Sequence, residues 1–304
     1  MENKPSHFSS LLFLLIPLVL FSTANCGIVT YWGQGDEQLH EGTLSEACNS
    51  GLYQIVNIAF LSKFGNRNRP PHVNLASHCN NVPNCHKKVG KGIKNCQSKN
   101  VSVLLSIGGA SEGYRLSSAH HANRLADYLW NNFLGGQSSQ RPFGDAILDG
   151  IDFDIEGNRG DPENYAVLAM KLREHMDKKK RKFYLSAAPQ CPFPDHNQNP
   201  ALSKVHFDFV FIQFYNNPDC QVASNHFRRS WNKWTKTIKA HKFYVGLLAM
   251  PAGSDTGYVP PETVLNKVLP FVKKSPKYGG VMLWNRGLDK NSGFSAKIHD
   301  SVNE

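Results

Sequence analysis

One short stretch alternates polar and apolar residues as no ordinary core strand does. In Asp149-Gly-Ile-Asp152-Phe-Asp154-Ile-Glu156, every second position from Asp152 on carries an acid, and Ile151, Phe153 and Ile155 occupy the alternate positions. Successive side chains of a strand point to opposite faces, so Asp152, Asp154 and Glu156 share one face while the apolar trio packs the other. Seven more runs read as strands around this Gly150–Glu156 segment: Ile28–Gly33, Tyr53–Leu61, Val101–Gly108, Lys182–Pro189, Phe207–Asn216, Lys242–Met250 and Tyr278–Asn285. Their starts lie about 25 to 50 residues apart, too far for hairpins and suited to strand, loop, helix, loop units that build a parallel sheet. Helical patterns at His120–Phe133, Asn164–Asp177, Asn225–Ala240 and Pro261–Lys274 fill several of these intervals. Eight such repeats predict an α/β fold of one closed (β/α)8 TIM barrel. The alternative, an open doubly wound sheet, lacks its Gly-x-Gly-x-x-Gly turn; Gly33-Gln34-Gly35 is too little to count.

A barrel of this kind works at the C-terminal ends of its strands, and Glu156 ends the fourth. Crowded carboxyls inside a protein do not all ionise, so at least one keeps a proton near neutral pH, as a general acid must. Other strand ends add Tyr31 with Gln34, Asn57 with Phe60, Gln213 with Tyr215 and Asn216, and Trp284. Aromatic faces stack on sugar rings and amides bond hydroxyl or acetamido groups, a mixture suited to carbohydrate. Two blander accounts compete: a calcium site, which would mix carboxylates with loop carbonyls, and a purely structural acid cluster, which leaves its cost unexplained.

Composition narrows the setting. Lys4, the apolar run Leu11–Phe21 and the small residues Ala24 and Cys26 read as a secretory signal over residues 1–26, too short and too soon broken by Pro17 to span a bilayer. Residues 27–304 then form one large domain, with no linker-like stretch dividing it. Losing Cys26 leaves six cysteines, an even number that suits disulfides in an exported chain, although composition alone leaves every pairing open. Cys79 and Cys85 are close enough to close a small loop; Cys191 and Cys220 each follow a strand, which leaves Cys48 with Cys96. Spacing for a zinc site is absent, and neither metal nor cofactor is expected. The net charge of +10 favours acidic surfaces by long-range attraction. Apart from Lys178–Lys182, which reads as a solvated turn, the basic residues are scattered, so neither nucleic acid nor membrane is expected as a partner.

Several segments together resemble glycoside hydrolase family 18, and within it the plant class III chitinases of hevamine type. The acidic run at 149–156 is similar to the family's D-x-x-D-x-D-x-E signature, and Ser106-Ile-Gly-Gly109 to its S-x-G-G motif. Tyr31-Trp-Gly-Gln34, Asn57-Ile-Ala-Phe-Leu61, Ala126–Gly136, Ala187–Asp195, Gln213–Pro218 and Tyr278–Trp284 extend the likeness over nearly the whole mature chain. The resemblance implies the barrel, the same three disulfides, and a secreted, monomeric endochitinase that cleaves β-1,4 bonds in chitin or chito-oligosaccharides with retention. A lysozyme-like side activity on peptidoglycan and a vacuolar rather than extracellular destination also occur in its scope. The family is an exception to the two-carboxylate scheme, the substrate's own acetamido group attacking the sugar. Glu156 then matches the general acid, Asp154 the group that holds the acetamido N–H, Asp152 its proton-sharing neighbour and Tyr215 a donor to the acetamido oxygen. Tyr31, Gln34, Phe60, Asn74, Gly109, Gln213 and Trp284 would surround the sugar, Trp284 as its floor. The same scaffold includes non-hydrolytic lectins and xylanase inhibitors. Two departures bear on that alternative: a longer, more acidic loop from Gly35 to His40, and Ala110-Ser111-Glu112 after Gly109.

Overall fold

The structure, a computed structural model, describes residues 26–35, 39–66, 69–157 and 160–304. Of the expected signal over residues 1–26 only Cys26 is described, and its first 25 residues and the loop positions Asp36–Gln38 lie outside the described residues. Eight parallel strands form the barrel: β1 (Gly27–Trp32), β2 (Ile55–Lys63), β3 (Ser102–Gly109), β4 (Gly150–Ile155), β5 (Tyr184–Ala187), β6 (Phe207–Gln213), β7 (Ala240–Leu248) and β8 (Tyr278–Trp284). Each pairs with its neighbours, and β1 pairs with both β2 and β8, which closes the ring. A two-residue strand, His72–Val73, runs antiparallel to the end of β2 and folds the following turn over the mouth.

Alternating side chains divide the apolar residues into two cores. Inside the barrel lie Val29, Ile55, Leu104, Phe211 and Met282; between strands and helices lie Ile151, Phe153, Ile155, Leu172, Trp231 and Trp234. The apolar face of β4 thus meets the helices, and its acids point into the barrel.

Helices run over Ala119–Phe133, Pro162–Asp177 and Phe227–Thr237, close to the predicted spans. Ser118 and Asp161 cap the first two by accepting from backbone N–H groups. The predicted helix at 261–274 is broken into Pro261–Thr263, a wide turn at Val264–Val268 and Leu269–Val272. Pro270 has no N–H to continue an α-helical ladder, which accounts for the wider turn before it. Cys85–Ser98 is a helix the apolar pattern did not announce. Gly90 within it lowers helix propensity but admits the backbone of Phe143, whose oxygen would lie 2.1 Å from an added Cβ.

All three disulfides form in the expected pairing: Cys48–Cys96, Cys79–Cys85 and Cys191–Cys220. The first joins helix Leu44–Asn49 to helix Cys85–Ser98, and the last ties together the loops that leave β5 and β6.

Candidate active site

At the C-terminal end of the barrel a cavity of about 500 Å³ opens over β4, and Asp154, Glu156 and Tyr215 line it. Tyr31, Gln34, Phe60, Asn74, Gln213 and Trp284 join them, so six of the seven residues expected around a sugar meet in one place. Gly109 does not line it. That residue sits behind the Phe60 ring, where an added Cβ would come within 2.8 Å, and its positive φ of 76° also favours glycine.

The three acids stand at different depths. Asp152 is fully buried and accepts hydrogen bonds from the hydroxyls of Tyr31 (2.9 Å), Ser106 (2.7 Å) and Ser186 (2.6 Å). Burial still raises its pKa, against the pull of those three donors. Asp154 lies above it, with burial and then the Glu156 and Asp152 charges pushing its pKa well above the carboxylate range. Glu156, half-buried and one residue beyond the strand, is raised by burial against hydrogen bonds from Gln213 and Asp154. The proton therefore belongs to the Asp154–Glu156 pair, held on Asp154 and shared towards Glu156.

A file of amides fixes the Asp154 side of that pair. Asn217 Nδ2 donates to Gln190 Oε1 (2.5 Å), Gln190 Nε2 to Gln213 Oε1 (3.0 Å), and Gln213 Nε2 to Asp154 Oδ1 (3.0 Å). Gln213, expected to bind sugar, thus spends its amide on the acid and on the Ala188 carbonyl. Asp195 holds the Gln190 loop by accepting three backbone N–H groups, from Gln190, Asn197 and Gln198, which oppose the rise that burial imposes on its pKa. Gln34 likewise donates to the carbonyls of Gly33, Ala59 and Asn74, clasping the ends of β1 and β2 to the turn above them. Asn74 is brought there by exchanging backbone hydrogen bonds with Phe60.

Aromatic surface forms the other wall. The rings of Phe60 and Trp284 stack with centroids 5.9 Å apart, and Tyr31 lies 5.6 Å from Trp284. Tyr215 is buried, and among the described residues its hydroxyl makes no hydrogen bond, so it is left to face the cavity. Burial, then the Asp154 and Glu156 charges, raise its pKa well above the phenol range and keep it a proton donor. Tyr114 braces the acid from behind: its oxygen accepts the Glu156 N–H at 2.9 Å, while the carbonyls of Gly109 (2.9 Å) and Glu156 (3.0 Å) compete for its proton.

Gln190 and Asp255 also line the cavity and were not anticipated. Gln190 follows a predicted strand and was open to the same strand-end rule. Asp255 sits in a loop after β7, where no pattern marks it. Ala110 and Ser111, the departures after β3, line the cavity without closing it.

A parallel barrel whose mouth joins proton-sharing carboxyls to aromatic faces has the make-up of a carbohydrate-acting barrel enzyme. The chain belongs to the glycosyl hydrolases family 18, whose model matches residues 27–289. It is 53% identical to the basic endochitinase of Nicotiana tabacum over 96% of this chain and 98% of that protein. Among solved structures it is similar to a chitinase from Ipomoea carnea, with 42% identity, a TM-score of 0.82, and coverage of 90% of this chain and 99% of that one. A xylanase and alpha-amylase inhibitor protein from Scadoxus multiflorus is similar too, at 42% identity and a TM-score of 0.81 over 90% of this chain and 97% of that one.

Proposed function

We propose that the protein is an endochitinase that cleaves β-1,4 bonds between N-acetylglucosamine units with retention, using the substrate's acetamido group as nucleophile. The observation that carries this is that the Asp154 and Glu156 carboxyls, the Tyr215 hydroxyl and the Trp284 ring line one cavity at the barrel mouth. In the bound sugar the acetamido N–H meets Asp154 and its oxygen accepts from Tyr215. A donor arriving at Asp154 favours the carboxylate form, which releases the shared proton to Glu156. Glu156 gives it to the glycosidic oxygen as the C1–O bond breaks and the acetamido oxygen bonds to C1, forming an oxazolinium ion. Water then adds to C1 as the C1–O bond to the acetamido oxygen breaks, Glu156 takes the water's proton, and the β-anomer leaves with its acetamido group restored. Aligning a nucleophile held inside the substrate makes this a proximity effect, for which effective molarities can be very large.

Asp152 acts one layer down, held by its own three hydroxyl contacts, and its charge favours the protonated form of Asp154. Residues 1–26 serve as a secretory signal, and the mature chain acts outside the cell as a monomer, or in a vacuole, on chitin and to a lesser degree on peptidoglycan. Among the described residues no helix is long and apolar enough to cross a membrane. The test is a time course on soluble chito-oligosaccharides with products resolved by size and anomer. Internal cleavage giving initial β-anomers supports the assignment. Saturable binding without products would instead mark a non-hydrolytic relative, as the likeness to the inhibitor protein allows.

A further inference from the structure

The net charge of +10 has no use in a cleft lined by Asp154, Glu156 and Asp255. Nor is that charge spread evenly. Between Cys220 and Ser254 the sequence holds Arg228, Arg229, Lys233, Lys236, Lys239 and Lys242 and not one acid. The fold gathers them. Helix Phe227–Thr237 buries Phe227, Trp231 and Trp234, which leaves Arg229, Lys233 and Lys236 in a row on the exposed side. Their i, i+4, i+7 spacing places them about 6 and about 4.5 Å apart along the axis.

Beside the row runs a groove of about 630 Å³ between the helix and the Cys191–Cys220 bridge, with Phe193 and Pro192 on its far side. A smaller groove of about 260 Å³ flanks the helix on its other side, where Lys236 meets Lys274 and Lys277. No Asp or Glu lines either groove. Among the described residues Arg229, Lys233 and Lys236 have no ion pair and no hydrogen bond, and Lys233 has only the Phe193 ring, 5.5 Å away. Like charges in such a row repel, and several within one Debye length attract a polyanion together.

We propose that this wall binds an anionic polysaccharide, a chain of sugars bearing carboxylates, and holds the protein on an acidic matrix while the mouth stays free. The row spacing is comparable with the length of a sugar unit, and Phe193, packed against Trp234 and under the Lys233 ammonium, gives the groove an apolar border beside that charge. A polynucleotide would ask for several successive stacking platforms, and the groove has one half-buried ring. The groove and the catalytic cavity share no lining residue.

The experiment measures binding of the full protein to immobilised polygalacturonate across a salt gradient. Arg229→Gln/Lys233→Gln/Lys236→Gln is compared with Lys178→Gln/Lys179→Gln/Lys180→Gln, which lowers the net charge equally, both checked for native melting temperature. The expected result is salt-sensitive binding, weakened at least about tenfold by the first triple and little by the second. Equal weakening by both would reduce the effect to net charge and overturn the proposal. So would no binding by the native chain, or tighter binding to duplex DNA at the same salt.

Discussion

The barrel mouth and the outer wall at helix Phe227–Thr237 treat charge in opposite ways. In the mouth, acids are taken out of water, hemmed by hydroxyls and amides, and shifted so that a proton stays where solvent would have removed it. On the wall, cations stand in water with almost nothing touching them. Burial turns a charge into chemistry at one atom; exposure leaves it to act in concert, at range and weakly. Variants should therefore affect the two regions by very different amounts.

The largest effect is expected from Glu156→Gln, which keeps shape and removes the transferable proton. Turnover should fall by about 10²–10⁴-fold with chito-oligosaccharide affinity retained; near-normal rates would remove Glu156 from the mechanism. Next comes Cys191→Ser/Cys220→Ser, because the bridge lies between the two regions, directly after Gln190 and along the basic groove. It should cost about 3 kcal/mol and lower the melting temperature by roughly 6–12 °C in calorimetry. An unchanged melting point would mean the loops are held without it.

A smaller effect is expected from Asp154→Asn, and its sign follows from the raised pKa. Below the ordinary value of 3.8 the folded and unfolded states both carry the proton. As pH rises, the unfolded chain ionises first, so native stability relative to the variant should decline until pH passes the raised folded value. A difference in melting temperature that stays flat from pH 4 to 8 would contradict burial as the cause. The smallest effect belongs to the wall: Lys236→Gln should shift stability by under about 0.5 kcal/mol and leave turnover on neutral oligosaccharides unchanged.

Much of this was legible in the chain because it rests on period-two patterns. The acids of β4 and the aromatics at the strand ends had to fall on the inner face, and they do. What stayed hidden depends on what one segment presents to another. Gly90 looks like a helix breaker until Phe143 is seen beside it. Gln34 and Gln213 read as sugar-binding amides, yet their donors are occupied by carbonyls and by Asp154. Asp255 comes into the site from a loop, where strand register gives no purchase. The basic wall was hidden similarly, since residues three and four apart look scattered in the sequence and line up only on a helix.

Tyr114 carries a practical consequence for anyone exchanging loops between members of this fold. Its hydroxyl joins the exit of β3 to the backbone of Glu156, so the segment Ala110–Tyr114 is mechanically part of the acid's mounting. A transplanted loop without that phenol would arrive with the right outline and let the acid drift.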